Sequence, residues 1–448
     1  MRLRLAAFVA GSLAALLATL PAGAETRFSD GYRPPASKQG VSEFRTAMPA
    51  DDLAARTAKL KALGTAYVQY NLFWSELESA GVPSSAAPLA CPAGHARVPA
   101  DAAEQARLGF KRYRCIDRAV LARFDALLAR DEAAGFQSGA VLWSSAPQYR
   151  DPACPGSPGA PGQQGCVPRD DALDDFEDYV NLVASRWNGG QRGKLSHFIV
   201  WNEAASPVWF DMAPRIDARD PSTEAVEGRI EAYGRMMVRA HAALQRHQRR
   251  ALLYASTDAL WAPGLAPGHY GSMRLVDGLW ARLGPAYSWS LAVHPYGDVD
   301  RPARRGQYSF ANLDGIAAHQ GARLAERGMD PASPQAWLLA SEQGWGLGPK
   351  GREGQARQVC LAHERALALP RLVAVAHNYF QSIEPDEGAG TSSQGAYFGL
   401  LPNALPNSLA GMEAVPTGRA LAATMNPAAW GRPGNYCCDT AGVGCPLP

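Results

Sequence analysis

Short apolar runs, each followed by an amphipathic helical pattern, recur along most of this 448-residue chain. The runs contain β-branched and aromatic residues and are apolar on both faces, which is typical of parallel strands covered by helices. The predicted strands are residues 40–44, 66–73, 138–143, 197–201, 251–256, 288–293, 336–340 and 372–380. The predicted helices are residues 51–63, 116–134, 171–187, 223–249, 271–283, 313–327, 354–369 and 415–425.

Eight strand–helix units predict the α/β class and a single (β/α)8 TIM barrel. The alternative is an open, doubly wound sheet. It is disfavoured because no Gly-rich turn follows an early strand. In addition, the polar candidate residues follow many strands, whereas an open sheet would gather them at one crevice. Three long connections follow strands, so in a barrel they would all lie at the same end and enclose a cleft. They are residues 75–115, 146–170 and 382–407.

The N-terminus predicts export. Arg2 and Arg4 precede an uncharged Ala/Leu-rich stretch, and Ala22-Gly23-Ala24 fits the small-residue cleavage pattern of a signal peptide. An uncleaved membrane anchor is the alternative, since the stretch approaches the ~20 residues that a span requires. We therefore expect a signal peptide over residues 1–24, a barrel over 25–426 and a Cys-rich tail over 427–448 packed on the barrel. The expected location is periplasmic or secreted, with no membrane insertion after cleavage.

The eight cysteines are interpreted as disulfides, because an even number in an exported chain without a CxxC pair is typical of structural bridges. Cys154 with Cys166 is the firmest predicted pair, since the two flank a Pro/Gly-rich stretch. Cys91 with Cys115 is the second. The chain alone does not decide which tail cysteine pairs with Cys360. The candidates are Cys437, Cys438 and Cys445.

The charge balance excludes partners that are bound mainly by electrostatics. Cleavage after residue 24 removes two of the 44 basic residues and none of the 42 acidic ones, which leaves equal numbers. Such a chain has no electrostatic footprint for nucleic acid or anionic lipid. The oligomeric state stays open.

Two of the apolar runs end abruptly in a glutamate. They are the segments Phe198-Ile199-Val200-Trp201-Asn202-Glu203 and Trp337-Leu338-Leu339-Ala340-Ser341-Glu342. A carboxylate at the end of a buried strand lies at the rim of the sheet, partly out of the core. Strands four and seven lie on different sides of an eight-stranded barrel, so Glu203 and Glu342 would face each other across its mouth. Paired carboxylates in such a position are what glycosidic bond cleavage requires.

At these residues the chain resembles glycoside hydrolases of the large barrel clan with catalytic glutamates after strands four and seven, most closely families 39 and 5. Residues 63–78, LGTAYVQYNLFWSELE, resemble the clan's segment from helix one through strand two. Trp201-Asn202-Glu203, His294-Pro295-Tyr296 and Ser341-Glu342-Gln343-Gly344-Trp345 resemble its motifs after strands four, six and seven. Tyr397-Phe398-Gly399-Leu400 resembles the close of the barrel.

The resemblance and the paired carboxylates together predict a retaining β-glycosidase acting on a polysaccharide or oligosaccharide. Glu203 would be the acid/base and Glu342 the nucleophile. Asn202 would hydrogen-bond a sugar hydroxyl, Tyr296 would hold Glu342, and His294 would contact a carboxylate or the sugar.

Further candidate sugar contacts are aromatic residues at predicted strand ends, because indole and phenol faces stack on the C–H faces of sugars. Trp345 and Trp143 are the strongest candidates, followed by Trp74 and Tyr379. Packing in the core is the alternative for each. Asp258, just beyond strand five, would either bind hydroxyls or cap a turn.

One position departs from the clan pattern. Gln69 occurs where the clan commonly has an Arg that supports the nucleophile. Glutamine donates hydrogen bonds but carries no positive charge, so the substrates of familiar members should not be transferred to this chain.

Other chemistries are disfavoured. The histidines are scattered and no HExxH occurs, so we expect neither a metal site nor a cofactor. No GxSxG motif marks a serine hydrolase. A sugar-binding barrel of an exopolysaccharide system that does not cleave, and a transglycosylase that uses the same carboxylates, remain alternatives.

Overall fold

The strands and helices below are those of a computed structural model. It describes residues 38–43, 50–62, 65–154, 164–213, 216, 223–345, 351–378, 419–420, 436–441 and 443. The strands are β1 Gln39–Glu43, β2 Tyr67–Phe73, β3 His95–Val98, β4 Arg114–Asp117, β5 Gln137–Trp143, β6 His197–Val200, β7 Leu252–Thr257, β8 Ser290–Val293, β9 Leu338–Gln343 and β10 Leu372–Asn378. The helices are α1 Ala50–Ala62, α2 Trp74–Leu77, α3 Ala102–Leu108, α4 Arg118–Ala134, α5 Leu173–Arg186, α6 Thr223–His247, α7 Ser272–Arg282, α8 Leu313–Ala325, α9 Gly351–Ala368 and α10 Tyr436–Ala441.

Eight parallel strands close into a barrel in the order β1, β2, β5, β6, β7, β8, β9, β10, with β10 paired back to β1. The predicted (β/α)8 fold is therefore confirmed, and each predicted strand coincides with one barrel strand. The predicted helix at 415–425 lies almost wholly outside the described residues. No helix in the described part of the chain has both the length and the apolar character that crossing a membrane requires.

The helices cover the barrel through their apolar faces. In α5, Phe176, Tyr179, Val180 and Val183 are buried. Full burial of a Phe or Val side chain stabilises the fold by about 1.5–3 kcal/mol. The Tyr179 hydroxyl also donates to the Leu72 carbonyl over 2.6 Å, which fixes the height of α5 against β2.

The barrel interior is polar along β2. Gln69 Nε2 donates to the Ser341 carbonyl over 2.8 Å. Because β2 and β9 are not neighbours in the barrel, this side chain must point inward. Tyr67 lies on the same face and donates to Gln69 Oε1 over 3.1 Å. A Cβ at Gly139 would lie 2.1 Å from the Tyr67 hydroxyl oxygen, so only glycine fits there.

The connection from β2 to α4 contains secondary structure that the sequence pattern did not reveal. The antiparallel hairpin β3–β4 and helix α3 lie within it. The Asp101 side chain caps α3 by accepting from the Glu104 N–H, and Gly109 ends it at φ +69°. The capping residues were visible in the sequence, but helix α3 is only seven residues long and gives too short a periodic signal.

A buried ion cluster anchors this connection to the barrel. Arg114 is fully buried, and its guanidinium lies 2.6 Å from Glu78 and 3.0 Å from Asp175 of α5. Glu78 also accepts from the Trp74 indole over 2.6 Å and from the Tyr149 hydroxyl over 2.9 Å. Glu78, near the start of the β2–α4 connection, and Arg114, near its end, are thus joined to each other and to α5.

The disulfide predictions are confirmed for the described residues. Bridges join Cys91 to Cys115, Cys154 to Cys166 and Cys360 to Cys437. The first two lie in connections that follow barrel strands, and the third joins α9 to α10. Cys438 is also disulfide-bonded, and Cys445 lies outside the described residues.

Candidate active site at the mouth of the barrel

Glu203 is placed by an unusual turn directly after β6. Trp201 and Glu203 both have positive φ, +63° and +41°, in the left-handed region that residues other than glycine rarely adopt. Such backbone strain persists only where the surroundings over-determine it, and it is concentrated at functional sites. Here the Trp201 N–H donates to the Leu142 carbonyl, and the Glu203 N–H donates to Ser256 Oγ, each over 2.9 Å.

Ser256 is itself held in place by Tyr233 of helix α6. Its N–H donates to the Tyr233 hydroxyl over 2.8 Å, and that hydroxyl donates to the Val200 carbonyl over 2.6 Å. Tyr233 extends from α6 and is fully buried. The chain Tyr233–Ser256–Glu203 therefore connects a covering helix to the backbone of the candidate acid/base.

Glu342 lies near the end of β9 and shares a histidine with Glu203. Tyr296 donates its hydroxyl to Glu342 Oε2 over 3.0 Å. His294 Nδ1 lies 2.8 Å from Glu203 Oε1 and 3.6 Å from Glu342 Oε2. The Nδ1 atom and one oxygen from each carboxylate all lie within 4.8 Å of one another. The two strand-end glutamates therefore meet across the mouth.

The charges of this triad shift the pKa values of two of its members. Burial alone would lower the pKa of His294, but the carboxylates of Glu342 and Glu203 outweigh it and raise the pKa to about 9. Burial raises the pKa of Glu203 above its ordinary value, and the Asp258 and Glu342 charges add to this, while His294 opposes it. His294 is thus an imidazolium at neutral pH, and Glu203 holds its proton to a higher pH than an ordinary glutamate.

Asp258 is buried just beyond β7, and its hydrogen bonds come from its own segment. Oδ1 accepts from the Leu260 N–H and the Ser272 hydroxyl, each over 2.9 Å, and Oδ2 lies 2.6 Å from His269 Nε2. His269 Nδ1 accepts from the Gly271 N–H, so the proton is on Nε2 and His269 is the donor to Asp258. Asp258 fits the turn-capping alternative better than it fits hydroxyl binding.

Asn202 lies beside Glu203 with little exposed surface, 6 % of the residue. Within the described part of the chain, its Oδ1 is buried and has no hydrogen-bond partner. A buried acceptor without a partner is costly, about 1–3 kcal/mol, unless something binds it. Asn202 therefore has the free acceptor that sugar recognition requires.

The aromatic candidates divide into two groups. Trp74 is fully buried between the rings of Tyr149 and Tyr179, stacked at 4.9 and 5.4 Å, so neither indole face is open to a sugar. Trp143 ends β5 and Trp345 follows β9, at the same end of the barrel as Glu203 and Glu342, but both are also buried, 3 % and 6 % exposed. Trp143 packs edge-on against Trp209, and the Trp345 indole donates to the Gly297 carbonyl over 2.8 Å. Tyr379 lies outside the described residues.

Three further polar residues, Gln69, Ser256 and Asn71, bond to candidate site residues or to their neighbours in the chain, and only Gln69 was singled out from the sequence. Gln69 contacts the carbonyl before Glu342 rather than supplying the charge of the clan arginine. Ser256 and Asn71 were not identified. The available signal was the polar alternation Gln69, Asn71 within an otherwise apolar strand.

A metal ion could be held by Glu203, His294 and Glu342, whose ligand atoms are close enough together. Metal binding requires the neutral imidazole. Since the pKa of His294 is raised to about 9, a proton competes with a metal at Nδ1 at neutral pH. The arrangement is better suited to proton transfer.

Sequence comparison places this chain in a family. A family model described as a family of unknown function (DUF5722) matches residues 58–300, more than half of the chain. The chain belongs to this family. The matched DUF5722 region contains Glu203, His294 and Tyr296 and stops before Glu342. A search of curated proteins gives no match.

Solved structures show what this DUF5722 chain resembles in fold. A family 39 glycoside hydrolase from Bacteroides cellulosilyticus WH2 matches with a TM-score of 0.52 at 13% identity, over 89% of this chain and 64% of that chain. The chain thus spans slightly less than two thirds of that relative. GH5_18 from Streptomyces cattleya, in complex with GlcNAc, matches with a TM-score of 0.53 at 15% identity, over 90% and 82%. The likeness confirms the fold resemblance to families 39 and 5.

Proposed function

We propose that this protein is a retaining glycoside hydrolase that cleaves β-glycosidic bonds in a polysaccharide or oligosaccharide. The observation that carries the proposal is the approach of Glu203 and Glu342 at the barrel mouth, with oxygens within 4.8 Å. Retaining enzymes hold their carboxyl groups about 5–5.5 Å apart, whereas inverting enzymes leave about 6.5–9.5 Å for a water. The close approach here supports the retaining mechanism.

In the first step, a Glu342 oxygen attacks the anomeric carbon and the bond to the leaving oxygen breaks. Glu203 gives its proton to that oxygen. Its raised pKa supports this role, because the group must stay protonated until transfer. The step leaves a glycosyl ester on Glu342 and an ionised Glu203.

In the second step, Glu203 takes a proton from water and the resulting hydroxide displaces Glu342 from the anomeric carbon. Esterification removes the negative charge of Glu342, and that charge is one of the causes that raise the pKa of Glu203. The pKa of Glu203 therefore falls when it must act as a base. The cycle returns both carboxyl groups to their starting states.

The neighbouring residues have complementary roles. Tyr296 donates to Glu342 Oε2 and orients it for attack. His294 bridges the two carboxyl groups as an imidazolium and keeps them together. Asn202 offers its unpartnered amide oxygen to a sugar hydroxyl, a contact that strengthens as the oxocarbenium-like transition state develops. Trp143 and Trp345, at the same end of the barrel, are the proposed aromatic contacts for the sugar.

Mechanism-based labelling tests the proposal. The protein is incubated with 2-deoxy-2-fluoro β-glycosides of several sugars, digested, and its peptides mapped by mass spectrometry. We expect a single glycosyl adduct on Glu342, absent in Glu342→Gln. Glu203→Gln keeps the nucleophile and should still be labelled by substrates with an activated leaving group.

Labelling at another residue would contradict the assignment of the nucleophile. Sugar binding without any label or hydrolysis would favour the non-catalytic sugar-binding barrel. The products distinguish the transglycosylase, since transfer to added sugar in preference to water would give longer oligosaccharides.

We further propose that the protein is periplasmic or secreted, with residues 1–24 removed as a signal peptide. Residues 25–426 would form the catalytic barrel, and 427–448 the tail packed on it. Three disulfides in the described residues support an oxidising compartment. N-terminal sequencing of the protein from periplasmic and culture fractions should give Glu25 as the first residue. A mature protein that begins at Met1 would contradict cleavage.

A further inference from the structure

Asn71 lies inside the barrel on the same face of β2 as Gln69. Side chains alternate along a strand, so residues two apart point the same way. Gln69 points inward because it reaches the Ser341 carbonyl of β9. Asn71 is therefore in the next interior layer toward the mouth, on the side of Ser341 where Glu342 follows. It is only 3 % exposed.

The orientation of the Asn71 amide is fixed by Trp143. The Trp143 indole Nε1 donates to Asn71 Oδ1 over 2.9 Å. An indole N–H can only donate, so Oδ1 and not Nδ2 must face it. Asn71 Nδ2, with two N–H donors, is buried and has no hydrogen-bond partner within the described residues.

Such a donor is costly when nothing binds it. Two buried amides, one on β2 and one just beyond β6, thus have unpartnered atoms of opposite kinds. Asn71 offers a donor, and Asn202 beside Glu203 offers an acceptor. A sugar hydroxyl group, which both donates and accepts, fits either amide.

The charged groups placed at the site favour a neutral ligand. Glu203, His294 and Glu342 have side-chain atoms within 4.8 Å of one another, so two carboxyl groups share a single imidazole. The groups that raise the pKa of Glu203 by their charge are the carboxyl groups of Asp258 and Glu342, and His294 is the charge that opposes them. A sugar carboxylate would meet this negative field. A neutral sugar would not be repelled.

We infer that Asn71 is a specificity-determining residue of the sugar site, whose Nδ2 donates to one hydroxyl oxygen of a neutral sugar, with Trp143 holding the amide in place. The inference rests on the proposed carbohydrate site and deepens it. Asn71 hydrogen-bonds the hydroxyl at one position of the sugar ring, so it contributes to the choice among sugars rather than to bond cleavage.

The test is a coupling experiment between Asn71 and the sugar. Calorimetry measures the Kd of β-thioglycosides of several neutral sugars, which resist hydrolysis, together with their monodeoxy analogues. In the wild type, removal of one particular hydroxyl should weaken binding by about ten-fold, the effect of one hydrogen bond to a buried donor. In Asn71→Leu, which has a similar shape, binding of the parent sugar should be weakened and removal of the same hydroxyl should have no further effect.

Two variants control the experiment. Asn181→Leu makes the same substitution in α5, where Asn181 accepts from Arg246 and plays no part in the barrel interior, and it should keep the wild-type pattern. Trp143→Phe removes the donor that orients the amide and should reduce the coupling. Asn71→Ala provides a second variant if the leucine protein does not fold.

The outcomes separate this inference from the proposed hydrolase. Equal hydroxyl effects in the wild type and in the Asn71 variants, or failure of every thioglycoside to bind, would overturn the role of Asn71. If Glu342 is labelled but the Asn71 variants show the same hydroxyl effects as the wild type, the hydrolase proposal is kept and the role of Asn71 is rejected. Coupling at Asn71 without label or hydrolysis would overturn the hydrolase and keep the sugar contact.

Discussion

Ser256 Oγ accepts the backbone N–H of Glu203 over 2.9 Å, and so holds a glutamate whose φ is +41°. Without this bond the turn would lose its main restraint on the Glu203 side. We expect Ser256→Ala to lower kcat by about ten-fold with little change in KM, because a small misplacement of the acid/base affects the transition state more than ground-state binding. Steady-state kinetics on an aryl glycoside provide the measurement. Ser138→Ala, on a barrel strand but facing Asp131, is the matched control and should keep wild-type kcat. An equal loss in both variants would indicate general destabilisation.

The pH profile should respond to His294 in a defined direction. His294 lowers the pKa of Glu203, and burial raises it. In His294→Asn the opposing charge is gone, so the pKa of Glu203 rises further. The first step needs protonated Glu203, and activity is lost as pH rises through its pKa. The alkaline limb of kcat/KM should therefore move to higher pH, with a lower maximum. A shift to lower pH would contradict the assignment.

Asp258 should give the opposite shift. Its charge raises the pKa of Glu203, so Asp258→Asn lowers that pKa and moves the alkaline limb to lower pH. The melting temperature should also fall, because the His269 Nε2–H loses a carboxylate acceptor. The direction of the limb, measured where the variant remains folded, separates the electrostatic effect from the structural one. An unchanged limb would exclude Asp258 from the field at Glu203.

Loss of Arg114 should destabilise the protein strongly. Arg114→Met leaves Glu78 buried without its cation and Asp175 with Arg112 alone, which costs about 3–5 kcal/mol. Urea unfolding at neutral pH measures the change. The control is Arg123→Met, which removes a partly exposed pair with Glu76 and should cost about 1 kcal/mol or less. Similar losses in the two variants would contradict the anchoring role.

The disulfides should contribute in order of loop length. Cys360 and Cys437 are separated by 77 positions, and Cys154 and Cys166 by 12. Loop entropy predicts losses of about 4.5 and about 3 kcal/mol when each pair is replaced by alanines. Thermal unfolding of the two double variants tests this order. A reversed order would mean that native-state contacts, rather than chain entropy, dominate.

Most barrel strands could be predicted because each is a short apolar run followed by a helical pattern, whereas β1 contains Val41 as its one large apolar residue and gives a weak signal. The pairing of Glu203 and Glu342 followed from their places at the ends of strands four and seven, and the structure brings them together. Trp74 could not be assigned from the sequence, since a tryptophan at a strand end looks the same whether its faces are open or covered by Tyr149 and Tyr179.

Contacts that join distant parts of the chain were also beyond the sequence. Gln69 was recognised as a departure from the clan pattern, but its bond to the Ser341 carbonyl depends on how the barrel closes. Ser256 became visible only through the backbone N–H that it accepts, because a serine in a buried strand carries no pattern of its own. The unpartnered Nδ2 of Asn71 could not be predicted either, because it depends on which side chains pack around it.

The ion pair between Glu78 and Arg114 joins the two ends of the β2–α4 connection, which contains the β3–β4 hairpin. The Cys91–Cys115 disulfide is a second link within the same connection. The segment between β3 and β4 is bound to α5, where Asp178 accepts the Lys111 and Arg112 N–H groups, whereas residues 86–90 are mostly exposed. Protein engineers could therefore exchange residues 86–90 for a foreign sequence, such as an affinity peptide or a longer binding arm, while the barrel beneath keeps its shape.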